Sequence, residues 1–234
     1  MPEKLPTKLL SADTPGFGPA DLPFVGSAGG GSGGGITLLL HFDYNSDPAG
    51  TDALAVTPVV DNTAAGTGWN AFGSYVAGNL QINNGAELGT QSVASEYAGV
   101  SADAGEFPYI VKLELRAGAY AAFRMVDQNS FWYIFHDGTN GLLLIYERTG
   151  GSNTLRASGA TTSSDQTSPF YVTDTGTEIT INRPDDPGFT APISYASTSH
   201  NSSTLVGIPT IFTGRRHDNY YLYTGTADYT ELPT

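Results

Sequence analysis

A chain of 234 residues with 10 basic and 23 acidic side chains, a net charge of -13 and no cysteine has no access to disulfides, thiolate metal centres or a thiol nucleophile. It also has no basic patch with which to neutralise a phosphate backbone, which excludes nucleic acid as a partner. No apolar run approaches the ~20 residues of a membrane span, and the opening "MPEKLPTKLLSADTPG" lacks the apolar stretch of a secretory signal, so the expected origin is synthesis in a cytoplasm.

Residues 1–25 hold five prolines. Proline fixes φ and pushes its predecessor to extended geometry, so this segment is predicted to be an extended arm, neither helix nor central strand. Its Leu5, Leu9, Leu10, Phe17, Leu22, Phe24 and Val25 are more apolar than a solvated tail requires. They read as anchors that bury against a partner. Residues 26–35 contain seven glycines and read as a flexible Gly/Ser linker with a reach of ~16–19 Å as a coil. Residues 36–234 read as the folded body.

From Ile36 onward the pattern is that of strands. "ITLLLHFDY" is a near-continuous apolar run closed by the turn-rich "NSDPAGTD". In "GSYVAGNLQINNG", Val76, Leu80 and Ile82 alternate with small or polar residues. "QSVASEYAGV" is the helical candidate. "YIVKLELRAG" places Val111, Leu113 and Leu115 on one face and Lys112, Glu114 and Arg116 on the other, with Glu114 expected in a solvated ion-pair row. "AYAAFRMVD" follows, and "SFWYIFHD" and "GLLLIYERTG" are joined at "DGTNG". A further strand comes after "TGGSN", each joint carrying residues that tolerate positive φ. "TEITINRPDD", "APISYAST", "TLVGIPTIFTG" and "NYYLYTG" complete the set. This spacing predicts an all-β antiparallel sandwich or barrel.

"LLLHFD", "AAFRMVDQNSFWYIFHDGTNGLLLIYERTGGSNTLRAS" and "LVGIPTIFTGRRHDNYYLYTG" together resemble the concanavalin A-like lectin/glucanase (laminin-G-like) jelly-roll superfamily. Phe123, Asp127, Asn129 and Tyr133 match its central pattern. Val206, Gly207, Asp218, Asn219 and Tyr220 match its last strand, with His217 in place of the usual aromatic. "LLLHFD" is also similar to versions of this domain in bacteriophage virion proteins. The resemblance implies a jelly-roll β-sandwich and a habit of display, not an activity.

The motifs of catalysis do not hold together. The E-x-D-x-x-E strand motif of the superfamily's glycoside hydrolases is missing. "DAGE", with Asp103 and Glu106, brings two carboxylates close only in a loop-like segment. G-x-S-x-G and G-x-G-x-x-G patterns occur only inside the glycine linker, without the strand and helix they need. His41, His136, His200 and His217 lack zinc-helix spacing. The sequon at Asn201 carries little weight without a secretory signal. "DYNSDPAGTD" sets Asp43, Asn45 and Asp47 at alternate positions, as a calcium loop does or as Asx turns do. The resemblance would add Asp218 to such a calcium site, where first and last strands meet.

For sugar stacking the candidate rings are Trp69, Trp132, Tyr133 and Tyr146, with Tyr220, Tyr221 and Tyr223 beyond them. Alternation in "SFWYIFHD" puts Phe131, Tyr133 and Phe135 on one side and Trp132, Ile134 and His136 on the other. Both faces are apolar, which fits a strand between two packed layers or one under a ligand groove. The expected function is a non-enzymatic virion structural protein of bacteriophage, a head decoration or fibre accessory. It would hold other virion proteins through residues 1–25 and display the sandwich at the virion surface in multicopy or homo-oligomeric form, with no cofactor required. The alternative is a carbohydrate-binding adhesion module of a tail tip or fibre, with surface glycans as partners.

Overall fold

The computed structural model describes residues 35–66, 68–83, 87–93, 97–162 and 168–233. The arm, with Leu5, Leu9, Leu10, Phe17, Leu22, Phe24 and Val25, lies outside the described residues, as does the linker up to its last glycine. Among the described residues the strands are β1 (Thr37–Phe42), β2 (Val60–Asp61), β3 (Asn70–Phe72), β4 (Leu80–Ile82), β5 (Leu88–Thr90), β6 (Gly99–Asp103), β7 (Tyr109–Leu115) and β8 (Tyr120–Asp127). They continue as β9 (Ser130–Asp137), β10 (Leu142–Thr149), β11 (Ser152–Ala160), β12 (Phe170–Asp174), β13 (Glu178–Asn182), β14 (Ile193–Ala196), β15 (Leu205–Pro209) and β16 (Arg216–Thr224).

Two antiparallel sheets result. One is nine-stranded and runs β14-β13-β12-β7-β16-β1-β2, with β4 and β5 attached through β5 to β16. The other is seven-stranded and runs β11-β10-β9-β8-β15-β6-β3. Period-two alternation decides which side chains meet between them. Val111, Leu113 and Leu115 of β7, Phe170 and Val172 of β12 and Leu222 of β16 share one buried cluster with Phe123 of β8, Trp132 and Ile134 of β9, and Val206 and Ile208 of β15. The chain is thus an all-β sandwich with its main core between the two inner faces.

The charges of Arg124 and Asp174 are paired inside the sandwich, as burial demands. Arg124 and Asp174 are fully buried and joined by two hydrogen bonds of 2.7 and 2.6 Å. Arg124 also donates to the carbonyls of Ser197 and Ser199, and Tyr109 donates to Asp174. Removing one partner would leave a buried charge at a cost of about 3–5 kcal/mol. Arg124 has φ 48 at the irregularity of β8 between Phe123 and Asp127. It marks where the strand turns its last residues, Val126 and Asp127, to a new direction.

Several expectations are corrected. The segment "QSVASEYAGV" is no helix where described: Gly99 and Val100 begin β6. Only Leu80–Ile82 of "GSYVAGNLQINNG" is strand, and Val76 is exposed, because Gly73 and Gly78 at positive φ break the run. The ion-pair row around Glu114 does not form. Glu114 accepts from Asn219 Nδ2, Arg116 pairs with Glu87, and Lys112 lies over the rings of Tyr171 and Tyr221.

Candidate functional site

The outer face of the seven-stranded sheet carries a second apolar layer. Tyr120, Phe131, Tyr133 and Phe135 alternate outward, opposite to Phe123, Trp132 and Ile134. Tyr133 stacks on Tyr146 at 5.1 Å and Tyr120 on Phe135 at 4.6 Å. Tyr97 reaches over this layer from the chain preceding β6. Its hydroxyl accepts a 2.6 Å hydrogen bond from Asn153 Nδ2, and the Arg148 guanidinium lies 3.7 Å from its ring centre. Burial raises the Tyr133 hydroxyl well above its ordinary range, with Tyr97, Tyr146 and Tyr120 nearby adding to the shift. Burial likewise pushes Tyr120 up to about 12. The rings of Tyr97, Tyr120 and Tyr146 thus gather around Tyr133 on one sheet face.

Beside this layer opens a cleft of about 620 Å³, built from β3, β6, β15 and the end of β8. Its lining includes Asn70, Phe72, Ser74, Ser101, Asp103, Val126, Asp127, Gln128 and Leu205. Val100 and Ala102 of β6 face the core, so alternation sends Ser101 and Asp103 outward. Leu205 of β15 sits opposite Asp103 in the register. Phe72 joins the aromatic layer through an edge contact with Phe131 at 6.5 Å. The cleft and the tyrosine layer thus meet at Phe72.

Local turns fix the polar groups. Asp103 Oδ1 accepts from Gly105 N and Thr204 Oγ1 at 2.9 and 2.5 Å. Asp127 Oδ1 accepts from Asn129 N at 2.7 Å. Gln128 Oε1 accepts from both the backbone N and Oγ of Ser74, each at 3.2 Å, tying one wall to the other. Ser101 is 4% exposed, and its hydroxyl has no hydrogen-bond partner among the described residues. A concave, partly apolar site with a few oriented polar groups is the usual form of a small-ligand pocket.

The predicted site residues fare unevenly. Trp69 and Trp132, at 3% and 0% exposure, are corrected as sugar platforms, because a ring sealed in the core offers no face to a ligand. Trp69 is sandwiched with Phe42 and Tyr220, and the Trp132 Nε1 donates to the Ser199 carbonyl. Tyr133 is also buried, beneath its neighbours, while Tyr146 is half-buried. Asp43 Oδ1 caps Asn45 N, Asp47 accepts from Thr57 N, and Asp218 Oδ1 accepts from Asn219 N. The first of these is an Asx turn; the second ties the loop to a residue ten positions on, and the third lies within β16. Among the described residues no group of three or more His, Asp or Glu is arranged to hold a metal. Glu106 is exposed and does not join Asp103 in the cleft lining.

Sequence reasoning missed Asn70, Ser101 and Gln128. They come from strands far apart in the chain, and no local spacing links them. Asp103, read from the sequence as part of a loop, instead ends β6.

No protein-family model matches the chain, and no curated protein matches it in sequence. Its fold is similar to the solved structure of a carbohydrate-binding module, CBM66 from Bacillus subtilis, with 10% identity and a TM-score of 0.33 over 68% of this chain and 88% of that one. It is also similar to a legume lectin-like domain from Entamoeba histolytica, with 8% identity and a TM-score of 0.41 over 68% of this chain and 90% of that one. At these values neither neighbour says what this chain binds.

Proposed function

We propose that this chain is a carbohydrate-binding module that takes its ligand in the cleft on the outer face of the seven-stranded sheet. The observation that carries the reading is the lining of that cleft: Asn70, Ser101, Asp103, Asp127 and Gln128 around Phe72, Val126 and Leu205. A sugar presents hydroxyls that need oriented donors and acceptors, and C–H faces that need apolar surface. This lining supplies both. No catalytic role is assigned, since each cleft carboxylate is held by the backbone of its own turn, an acceptor's geometry.

The test is a glycan array probed with the full chain, followed by calorimetric titration of the strongest binder. Saturable binding that weakens in Asp127→Ala, with the melting temperature retained, supports the reading. No binding to any saccharide class would sink it.

Display on a phage virion is a second reading, favoured by the seven apolar side chains of residues 1–25 alone. Nothing in the fold speaks for a phage origin. Undiminished incorporation into particles of a chain lacking residues 1–25 would remove it.

A further inference from the structure

We infer that the cleft selects an uncharged saccharide, held through neighbouring hydroxyls by the carboxylates of Asp103 and Asp127, and that it rejects uronic, sialylated and sulfated sugars. The inference rests on the carbohydrate reading of the cleft and adds the chemical class of its ligand.

Three observations carry it. The lining holds two carboxylates and, among the described residues, no Lys, Arg or His. Arg148, which bonds the backbone of the lining residue Gln128, is only 9% exposed. It donates to the Gln128 carbonyl and to Asn153 Oδ1 and lies against the Tyr97 ring, so its positive charge is engaged behind the wall. The chain as a whole carries a net charge of -13, so the long-range field repels an anion before it arrives.

The carboxylates are also placed to accept from a ligand. Asp127 ends β8 and Asp103 ends β6, and β15 lies between those strands. Both carboxylates line the same cleft as Leu205. Among the described residues each uses Oδ1 for its own turn, which holds the group still and leaves Oδ2 for a ligand hydroxyl. Hydrogen bonds to an ionised acceptor are about twice as strong as neutral ones. The buried Ser101 hydroxyl, two residues before Asp103 on β6, adds a donor to the lining. A carboxylate or sulfate on the ligand would face two like charges with no cation to offset them.

The experiment compares, on the full chain, neutral hexose oligosaccharides with their uronate, sialylated and sulfated counterparts on one array. The best neutral binder is then titrated against wild type, Asp103→Asn and Asp127→Asn, with and without chelator. Expected are neutral-only binding, a loss of about tenfold in each variant, and a narrowed gap between neutral and acidic sugars once a charge is removed. Melting curves verify that the variants are folded. Should either fail to fold, the wild-type array and its salt dependence still decide, because repulsion of acidic sugars relaxes as salt rises. Acidic sugars bound as tightly as neutral ones would overturn the charge selectivity alone. Unchanged affinity in both variants, or affinity abolished by chelator, would overturn direct contact with the carboxylates. No binding to any glycan takes down the carbohydrate reading as well.

Discussion

The Nε2 of His217 donates a 2.6 Å hydrogen bond to the carbonyl of Tyr120, joining the nine-stranded sheet to the seven-stranded one through the middle of the sandwich. His136 returns the contact, with Nδ1 donating to the carbonyl of Leu115 at 3.1 Å. Both imidazoles are buried, and each donates from one ring nitrogen to a carbonyl of the opposite sheet.

Acid should therefore loosen the sandwich early. Burial lowers His217 to about 4 from 6.5, although the carbonyls of Tyr120 and Leu88 and the charge of Glu87 oppose the shift. The folded state binds its proton less readily than the unfolded one. This contribution to stability is complete above pH 6.5 and is lost as pH falls towards 4. By pH 5 about 2 kcal/mol of it has been lost. Urea unfolding between pH 7 and 4.5 is expected to show a falling midpoint, flattened over that window in His217→Gln.

Asp218 works in the opposite sense. Burial first, then the charges of Glu114 and Glu87, raise it to about 6 from 3.8, against the bond from Asn219 N and the charge of Arg116. A raised carboxylate favours the fold below pH 3.8, and that contribution is lost as pH rises through 6. Asp218→Asn keeps an acceptor for Asn219 N and is expected to gain up to about 1 kcal/mol at pH 7.5, after discounting for solvent screening. No gain is expected at pH 3.5. Melting curves at the two pH values check it.

Gln128→Ala separates stability from binding. Ser74 is exposed, so water replaces the lost acceptor, and the cost should stay below about 1 kcal/mol, within about 2–4 °C of melting temperature. Affinity for a saccharide in the cleft is expected to fall about tenfold, since one wall loses its tie. Equal affinity in calorimetry would detach Gln128 from the site.

The buried tryptophans give a different expectation. With Trp69 and Trp132 sealed in the main core, acrylamide should quench their fluorescence poorly, and saturating saccharide should leave the emission maximum in place. Trp132→Phe should retain affinity while losing stability, by about 1–3 kcal/mol for the altered packing. A ligand-induced shift of the tryptophan maximum would move the site elsewhere.

What the sequence disclosed, and what it withheld, follows from the range of the interactions. Alternation in β9 correctly divided Phe131 and Tyr133 from Trp132 and Ile134, because a strand's two faces are a local property. Whether Tyr133 is open to a ligand depends on Tyr97 and Asn153, which are far from it in sequence, and alternation is silent on that. Trp69 read as a platform because an aromatic ring can stack on a sugar face. Its ring instead fills the space beside Phe42 and Tyr220. The cleft joins Asn70, Ser101 and Gln128 only through the strand order β8-β15-β6-β3, which no single stretch encodes.

The edge contact between Phe72 and Phe131 has an optical consequence. Phe72 lines the cleft, Phe131 touches Tyr97 and Tyr133, and Tyr133 stacks on Tyr146. These rings are held in fixed, asymmetric arrangement, so their near-ultraviolet circular dichroism carries a signature of the packed layer. A saccharide pressing on Phe72 is expected to alter the tyrosine bands while the far-ultraviolet strand signal stays constant. The chain carries its own unlabelled reporter for occupancy of the cleft.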